Sequence, residues 1–202
     1  MPIDKADITG LILAGGRGSR MGGVDKGLQL FQGTPLVQHA FTRLAPQVSR
    51  VMVNANRNLE VYRAMGMEVY RDEVPDFAGP LAGVLAGLNH CATPYLVTVP
   101  CDTPYFPHDL VERLAGGSII DAGIATAYTR DGDKLSPQPV FCLMRSSLRD
   151  SLRAFIDRGQ RKTGLWAHEL GGAQVIFDDD AAFANFNTLD ELTGAERTHQ
   201  HQ

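Results

Sequence analysis

Leu13 to Gly27 reads Leu-Ala-Gly-Gly-Arg-Gly-Ser-Arg-Met-Gly-Gly-Val-Asp-Lys-Gly, with six glycines in the thirteen positions from Gly15 to Gly27. So many glycines are costly unless the backbone turns sharply or lies against a ligand. Successive N–H groups in such a loop form an anion-binding nest. Arg17, Arg20 and Lys26 add cations suited to a polyphosphate. Two familiar phosphate motifs fail: Met21 stands where a dinucleotide fingerprint needs glycine, and Lys26 lies between Asp25 and Gly27 rather than before Ser or Thr. A solvated surface loop is the plainer reading, and the position directly after an apolar run argues against it.

Other residues could share that chemistry. Asp102 follows the apolar run Tyr95–Val99. A carboxylate at a strand end can hold Mg²⁺ together with substrate phosphates, although the same residue could simply cap the turn before Thr103-Pro104. Asn54 follows Val51-Met52-Val53, and Asp72 follows Glu68-Val69-Tyr70. Such an amide and carboxylate could read a base or ribose edge; residue types alone do not select guanine. Cys101 lacks an indicated histidine partner and reads as a buried neighbour. Asp178-Asp179-Asp180 has the wrong spacing for a calcium loop, and the six histidines show no zinc spacing. Phe31 and Trp166 read as core or rim.

The elements that must position these residues alternate strand and helix. Ile8–Ala14 is a short continuous apolar run, as in a strand buried on both faces. Thr34-Pro35 reads as an N-cap and first helical residue, opening a helix through Leu44. Strands follow at Val51–Val53, Met67–Tyr70, Tyr95–Val99 and Ala122–Tyr128. Helices are expected at Asn58–Met65, Pro80–Cys91 and Pro107–Leu114. Beyond them, Ser136-Pro137-Gln138-Pro139 interrupts, Val140–Met144 reads as a strand and Ser147–Arg158 as a helix. Gln174–Phe177 is a late strand and Asp190–Thr198 a last helix. The rhythm predicts an α/β fold, a three-layer αβα arrangement on a Rossmann-like, mostly parallel sheet. Ligands in such sheets gather at the carboxyl ends of strands, where the glycine loop, Asn54, Asp72 and Asp102 all fall. Gly79, Gly83 and Gly87 share one helix face, by close packing or to bring a helix N-terminus to a ligand. Arg145, Arg149 and Arg153 suggest a solvated face, and Arg158, Arg161 and Lys162 cluster around Gly159.

Length and composition set outer bounds. The 202 residues suit one domain over 1–202. A net charge of −4 advertises neither nucleic acid nor an anionic membrane. Phe77 to Cys101 is free of Asp, Glu, Lys and Arg for 25 residues, but its prolines and polar groups argue against a bilayer span. The three cysteines, with no C-x-x-C spacing, fit a reducing cytoplasm.

The ordered motifs resemble those of nucleotidyltransferases, and within them the molybdenum cofactor guanylyltransferase (MobA) family. Leu13–Gly27 resembles the nucleotidyltransferase signature L-A-G-G-x-[GA]-x-R-M-G followed by a lysine, and Gly22-Gly23-Val24-Asp25-Lys26-Gly27 looks like the MobA family's G-G-x-D-K. Asn54-Ala55-Asn56-Arg57, Gly79-Pro80-Leu81-Ala82-Gly83, Pro100-Cys101-Asp102-Thr103-Pro104 and Asn185-Phe186-Asn187-Thr188 look like its later motifs. The resemblance implies a fold like that of nucleotide-diphospho-sugar transferases. It also implies GTP contacts from Leu13, Ala14, Gly15, Gly16, Lys26, Asn54, Asp72, Gly79, Gly83 and Asp102, with Asp102 holding Mg²⁺. Arg20, Lys26 and Asp102 would be catalytic, while Arg161, Lys162, Asn185 and Asn187 would meet the acceptor. The N-terminal part would then bind GTP and metal, and the C-terminal part the acceptor. The reaction implied is transfer of GMP from GTP to the terminal phosphate of molybdenum-molybdopterin, releasing pyrophosphate. The rivals are a sister transferase for CTP or a sugar phosphate, and a non-catalytic nucleotide-binding protein of the same pathway. A monomer in transient contact with cofactor-pathway or acceptor proteins is expected.

Overall fold

The structure, a computed structural model, describes residues 3–16, 25–73, 79–116 and 122–186. The expected helix at Asp190–Thr198 lies outside them. In chain order, β1 (Ile8–Leu13) precedes a short hairpin of β2 (Leu30–Phe31) and β3 (Thr34–Pro35), which leads into α1 (Leu36–Leu44). Then come β4 (Arg50–Asn54), α2 (Leu59–Ala64), β5 (Glu68–Tyr70), α3 (Pro80–His90), β6 (Tyr95–Pro100) and α4 (Leu110–Gly116). The chain continues through β7 (Ile124–Asp131), β8 (Lys134–Arg145), α5 (Arg149–Asp157), α6 (Thr163–Glu169) and β9 (Ala173–Phe177).

Seven strands form one sheet in the order β5-β4-β1-β6-β8-β7-β9. β8 runs antiparallel to β6 and β7, and the other pairs are parallel. Alternation along β1 builds the layers. Ile8 and Ile12 join Val37, Ala40 and Leu44 of α1 with Leu110, Val111 and Leu114 of α4. Leu11 instead joins Leu81, Val84, Leu85 and Leu88 of α3, Phe155 of α5 and Trp166 of α6. Helices therefore cover both faces, as the βαβα rhythm requires. Phe31 and Trp166 are both fully buried, as core residues.

Three readings are corrected. Thr34-Pro35 does not cap and open α1: both residues pair in the hairpin, Pro35 is the N-cap, and the Leu36 N–H goes to Gln29 O (2.9 Å). Ser136–Pro139 does not interrupt the chain ahead of a strand. It lies within β8, whose register against β7 jumps from Thr126↔Cys142 to Ala127↔Gln138. Pro139, Val140 and Phe141 thus bulge, and a bulge absorbs prolines that a regular ladder rejects. Arg145 ends β8, so it shares no helix face with Arg149 and Arg153. The helix α6, with Gly164 inside it, carried too weak a pattern to be read from sequence. Among the described residues no helix is long and apolar enough to cross a membrane.

β1 lies between β4 and β6, and the chain leaves it first toward β4 and β5, then crosses to β6. A crevice opens at such a reversal, beyond the carboxyl ends of the strands. Its base is tied together by backbone hydrogen bonds past the strand ends, from Ala14 N to Asn54 O (2.8 Å) and Cys101 N to Leu13 O (3.1 Å).

Candidate active site

A cavity of about 650 Å³ occupies this crevice. Leu13, Ala14, Gly15 and Gly16 come from the end of β1, Asn54 from β4, Asp72 from beyond β5, and Gly79 and Pro80 from the start of α3. Cys101 and Asp102 follow β6, the bulge of β8 supplies Gln138 to Phe141, and Lys26 and Asn185 complete the wall.

Two polar groupings stand in it. Lys26 Nζ donates to Asp102 Oδ2, so the glycine segment and the tip of β6 meet directly. The second is built on Asp72. Asn54 Nδ2 donates to Asp72 Oδ1 and Asn56 Nδ2 to Asp72 Oδ2, each at 2.8 Å, while Asp72 N–H donates to Asn56 Oδ1 at 2.9 Å. Asn56 Nδ2 also reaches Gly15 O (3.2 Å). One asparagine therefore couples the glycine loop to the carboxylate. Each carboxylate oxygen accepts one amide N–H, and such an oxygen can accept two, so Asp72 retains capacity for a donor edge.

The glycines of α3 act differently from one another. Gly79 has φ of 64°, open to glycine at little cost, and places Pro80 at the first helical position beside the cavity. A Cβ on Gly83 would lie 2.3 Å from Asn54 Oδ1 and 2.8 Å from Leu13 Cδ2, so Gly83 backs Asn54 rather than lining the cavity. Gly87 gives the same close approach to Leu11.

On the other side, Thr103 Oγ1 donates to Asn185 Oδ1 (2.5 Å) and Phe186 N–H to Asp102 O (2.9 Å). Phe186 stacks on Phe31 with ring centroids 5.1 Å apart. The late segment is thereby locked beside Asp102. The Arg161 carbonyl lies near Gly79, and Gly164 against Pro139, so residues 161–164 pack behind two of the cavity's lining residues without lining it themselves. Cys101 is buried, and burial followed by the Asp102 charge pushes its thiol well above the usual cysteine range.

Residues 10–170 match the MobA-like NTP transferase domain family. A molybdenum cofactor guanylyltransferase of Bordetella petrii is 63% identical over 94% of this chain and 97% of its own. The chain belongs to the molybdenum cofactor guanylyltransferase family. The fold is shared more widely. Molybdopterin-guanine dinucleotide biosynthesis protein A from Archaeoglobus fulgidus superposes with a TM-score of 0.69 at 22% identity, covering 96% of this chain and all of that one. The 4-diphosphocytidyl-2C-methyl-D-erythritol synthase of Anaerococcus prevotii reaches 0.76 at 9% identity, over 98% of this chain and 100% of its own.

In this molybdenum cofactor guanylyltransferase family member, the expected Leu13, Ala14, Gly15, Gly16, Lys26, Asn54, Asp72, Gly79, Asp102 and Asn185 all line one cavity. Arg20 and Asn187 lie outside the described residues. The Arg161 guanidinium donates to Ile156 O (2.9 Å) and Gln160 O (2.8 Å). Asn56, two residues beyond Asn54 and so on the same face of extended chain, is a site residue that its place in the Asn-Ala-Asn-Arg motif alone does not assign. Gln138 to Phe141 were missed, because a bulge is a property of pairing.

Proposed function

We propose that this chain transfers GMP from GTP to the terminal phosphate of molybdenum-molybdopterin, forming the guanine dinucleotide cofactor and pyrophosphate. The observation that carries the reading is the meeting of Lys26 and Asp102 in the wall of the cavity. The acceptor phosphate oxygen is anionic at neutral pH, so attack on the α-phosphorus needs no general base. The protein's work is alignment and neutralisation of developing charge.

The guanine edge is assigned to Asp72, oriented by Asn54 and Asn56 and able to accept N1–H and N2–H. The triphosphate is assigned to the N–H groups of the glycine loop, to Arg20 and to Lys26. The acceptor is assigned to the side bounded by Arg161, Lys162, Asn185 and Asn187. The metal proposed is Mg²⁺. Asp102 offers a hard oxygen with a side chain 16% exposed, bordering the cavity. Magnesium takes one or two carboxylates and fills the rest from phosphate and water, so this donor set fits. When bound, the ion supplies charge neutralisation to the phosphate oxygens. The three cysteines are unpaired, in keeping with a reducing cytoplasm, and a monomer is proposed.

The test is pyrophosphate release with each of the four nucleoside triphosphates and purified molybdenum-molybdopterin. Release with GTP that depends on the acceptor is expected. Equal release with CTP, or none with any triphosphate, overturns the reading.

A further inference from the structure

Lys26 can grip a triphosphate only if its backbone is held still, and the residue before it is built for that. Asp25 is the one buried charged side chain among the described residues, at 8% exposure. Burying a carboxylate costs stability unless its oxygens are met. Here two neutral donors meet them: Tyr62 Oη donates to Asp25 Oδ1 (2.7 Å) and Asn58 Nδ2 to Oδ2 (3.1 Å). Tyr62 is fully buried, and burial followed by the bond to Asp25 pushes its phenol far above the usual range, so it remains a donor. Asn58 is the N-cap of α2, a place where asparagine normally bonds the first helical N–H groups. Its side chain makes no such bond and goes to Asp25 instead.

The residues that follow Asp25 are held by the same anchor. Its carbonyl accepts from Leu28 N–H (3.2 Å), closing the tight turn that carries Lys26. Gly27 lies so close to Tyr62 that a Cβ there would stand 2.6 Å from the hydroxyl oxygen. The Asp25 side chain and Gly27 fasten the turn to Asn58 and Tyr62 of α2, the Asp25 carbonyl closes the turn on itself, and Lys26 reaches across to Asp102.

We infer that Asp25 is a positioning residue, which with Tyr62 and Asn58 clamps the Lys26 turn so that its ammonium is aimed at the β- and γ-phosphates of the nucleoside triphosphate. This rests on the proposed role of Lys26. The clamp acts on the phosphate tail and leaves the Asp72 base site alone, so its loss should change the ratio of GTP to GMP affinity. A purely structural role would lower stability and leave that ratio fixed.

The experiment measures GTP and GMP affinity by calorimetry with Mg²⁺, on variants shown folded by circular dichroism. The variants are Tyr62→Phe, Asp25→Asn and Asn58→Ala, with Lys26→Ala as reference. Each clamp variant is expected to lose on the order of tenfold in GTP affinity, with GMP affinity within about twofold of wild type and the same direction of change as Lys26→Ala. Should Asp25→Asn fail to fold, Tyr62→Phe and Asn58→Ala decide. A shifted ratio in Lys26→Ala with none in the clamp variants overturns the clamp alone. An unshifted ratio in Lys26→Ala overturns the triphosphate role of Lys26 and the clamp with it.

Discussion

Lys26 and Asp102, 76 residues apart in the chain, form an ion pair in the lining of the cavity. The pair puts a cation and a carboxylate within reach of one bound nucleotide, and each removes part of the other's desolvation cost. Lys26→Ala is expected to lower pyrophosphate release by on the order of 10²–10³, the usual effect of losing one electrostatic donor. Asp102→Ala should abolish it. Far-ultraviolet circular dichroism should show both variants folded; magnesium-dependent turnover at the wild-type rate in Asp102→Ala would remove the metal role.

Asn56 touches no strand tip of its own, yet bridges Asp72 and Gly15. Asn56→Ala should weaken GTP binding roughly tenfold, the scale of one hydrogen bond to a charged group. Asp72→Ala should weaken it further. Calorimetry on both variants checks the order.

Gly83→Ala drives a methyl into Asn54 Oδ1, whereas Gly87→Ala meets Leu11 and Leu96, neither of which lines the cavity. The first substitution is expected to cut GTP affinity by about tenfold through displacement of the Asn54 amide. The second should leave affinity at the wild-type value. Equal affinities in the two variants would show that Asn54 does not need its glycine.

Burial raises the thiols of Cys101 and Cys142, the latter to about 11, while Cys91 is partly exposed. A neutral-pH thiol reagent should therefore label Cys91 on the native chain and reach the other two only on unfolding. Cys101→Ala should retain turnover; its loss without unfolding would reopen a covalent role.

Hydrogen bonds from Arg50 hold the Glu68 carboxyl below its ordinary range. A depressed folded-state value means the pair stabilises the chain above the ordinary carboxylate pKa and is lost as pH falls through the depressed one. Both side chains are more than a third exposed, so the contribution should stay under about 1 kcal/mol. Thermal midpoints of Glu68→Gln and wild type should converge in acid and separate slightly near neutrality.

Local pattern was enough for the layered fold. The apolar run of β1, the amphipathic α1 and the regular return of strand after helix each follow from side-chain periodicity, which neighbouring residues carry by themselves. It was also enough to bring the glycine loop, Asn54, Asp72 and Asp102 to one rim, because residues that end parallel strands must share an edge. The bulge at Pro139–Phe141 was not readable, since register exists only between two strands. Nor was the hairpin at Thr34-Pro35, where Gln29 takes the N–H that a cap would have used.

The sequence by itself determined which residue types stand at the strand ends and the family they spell. Only the tertiary structure decided which of them touch: that Lys26 meets Asp102, that Asn56 holds Asp72, that Gly83 backs Asn54 and that Asp25 is buried on Tyr62. Those pairings depend on distances between segments separated by tens of residues, and packing of the helices against the sheet sets such distances. No stretch of chain encodes them alone.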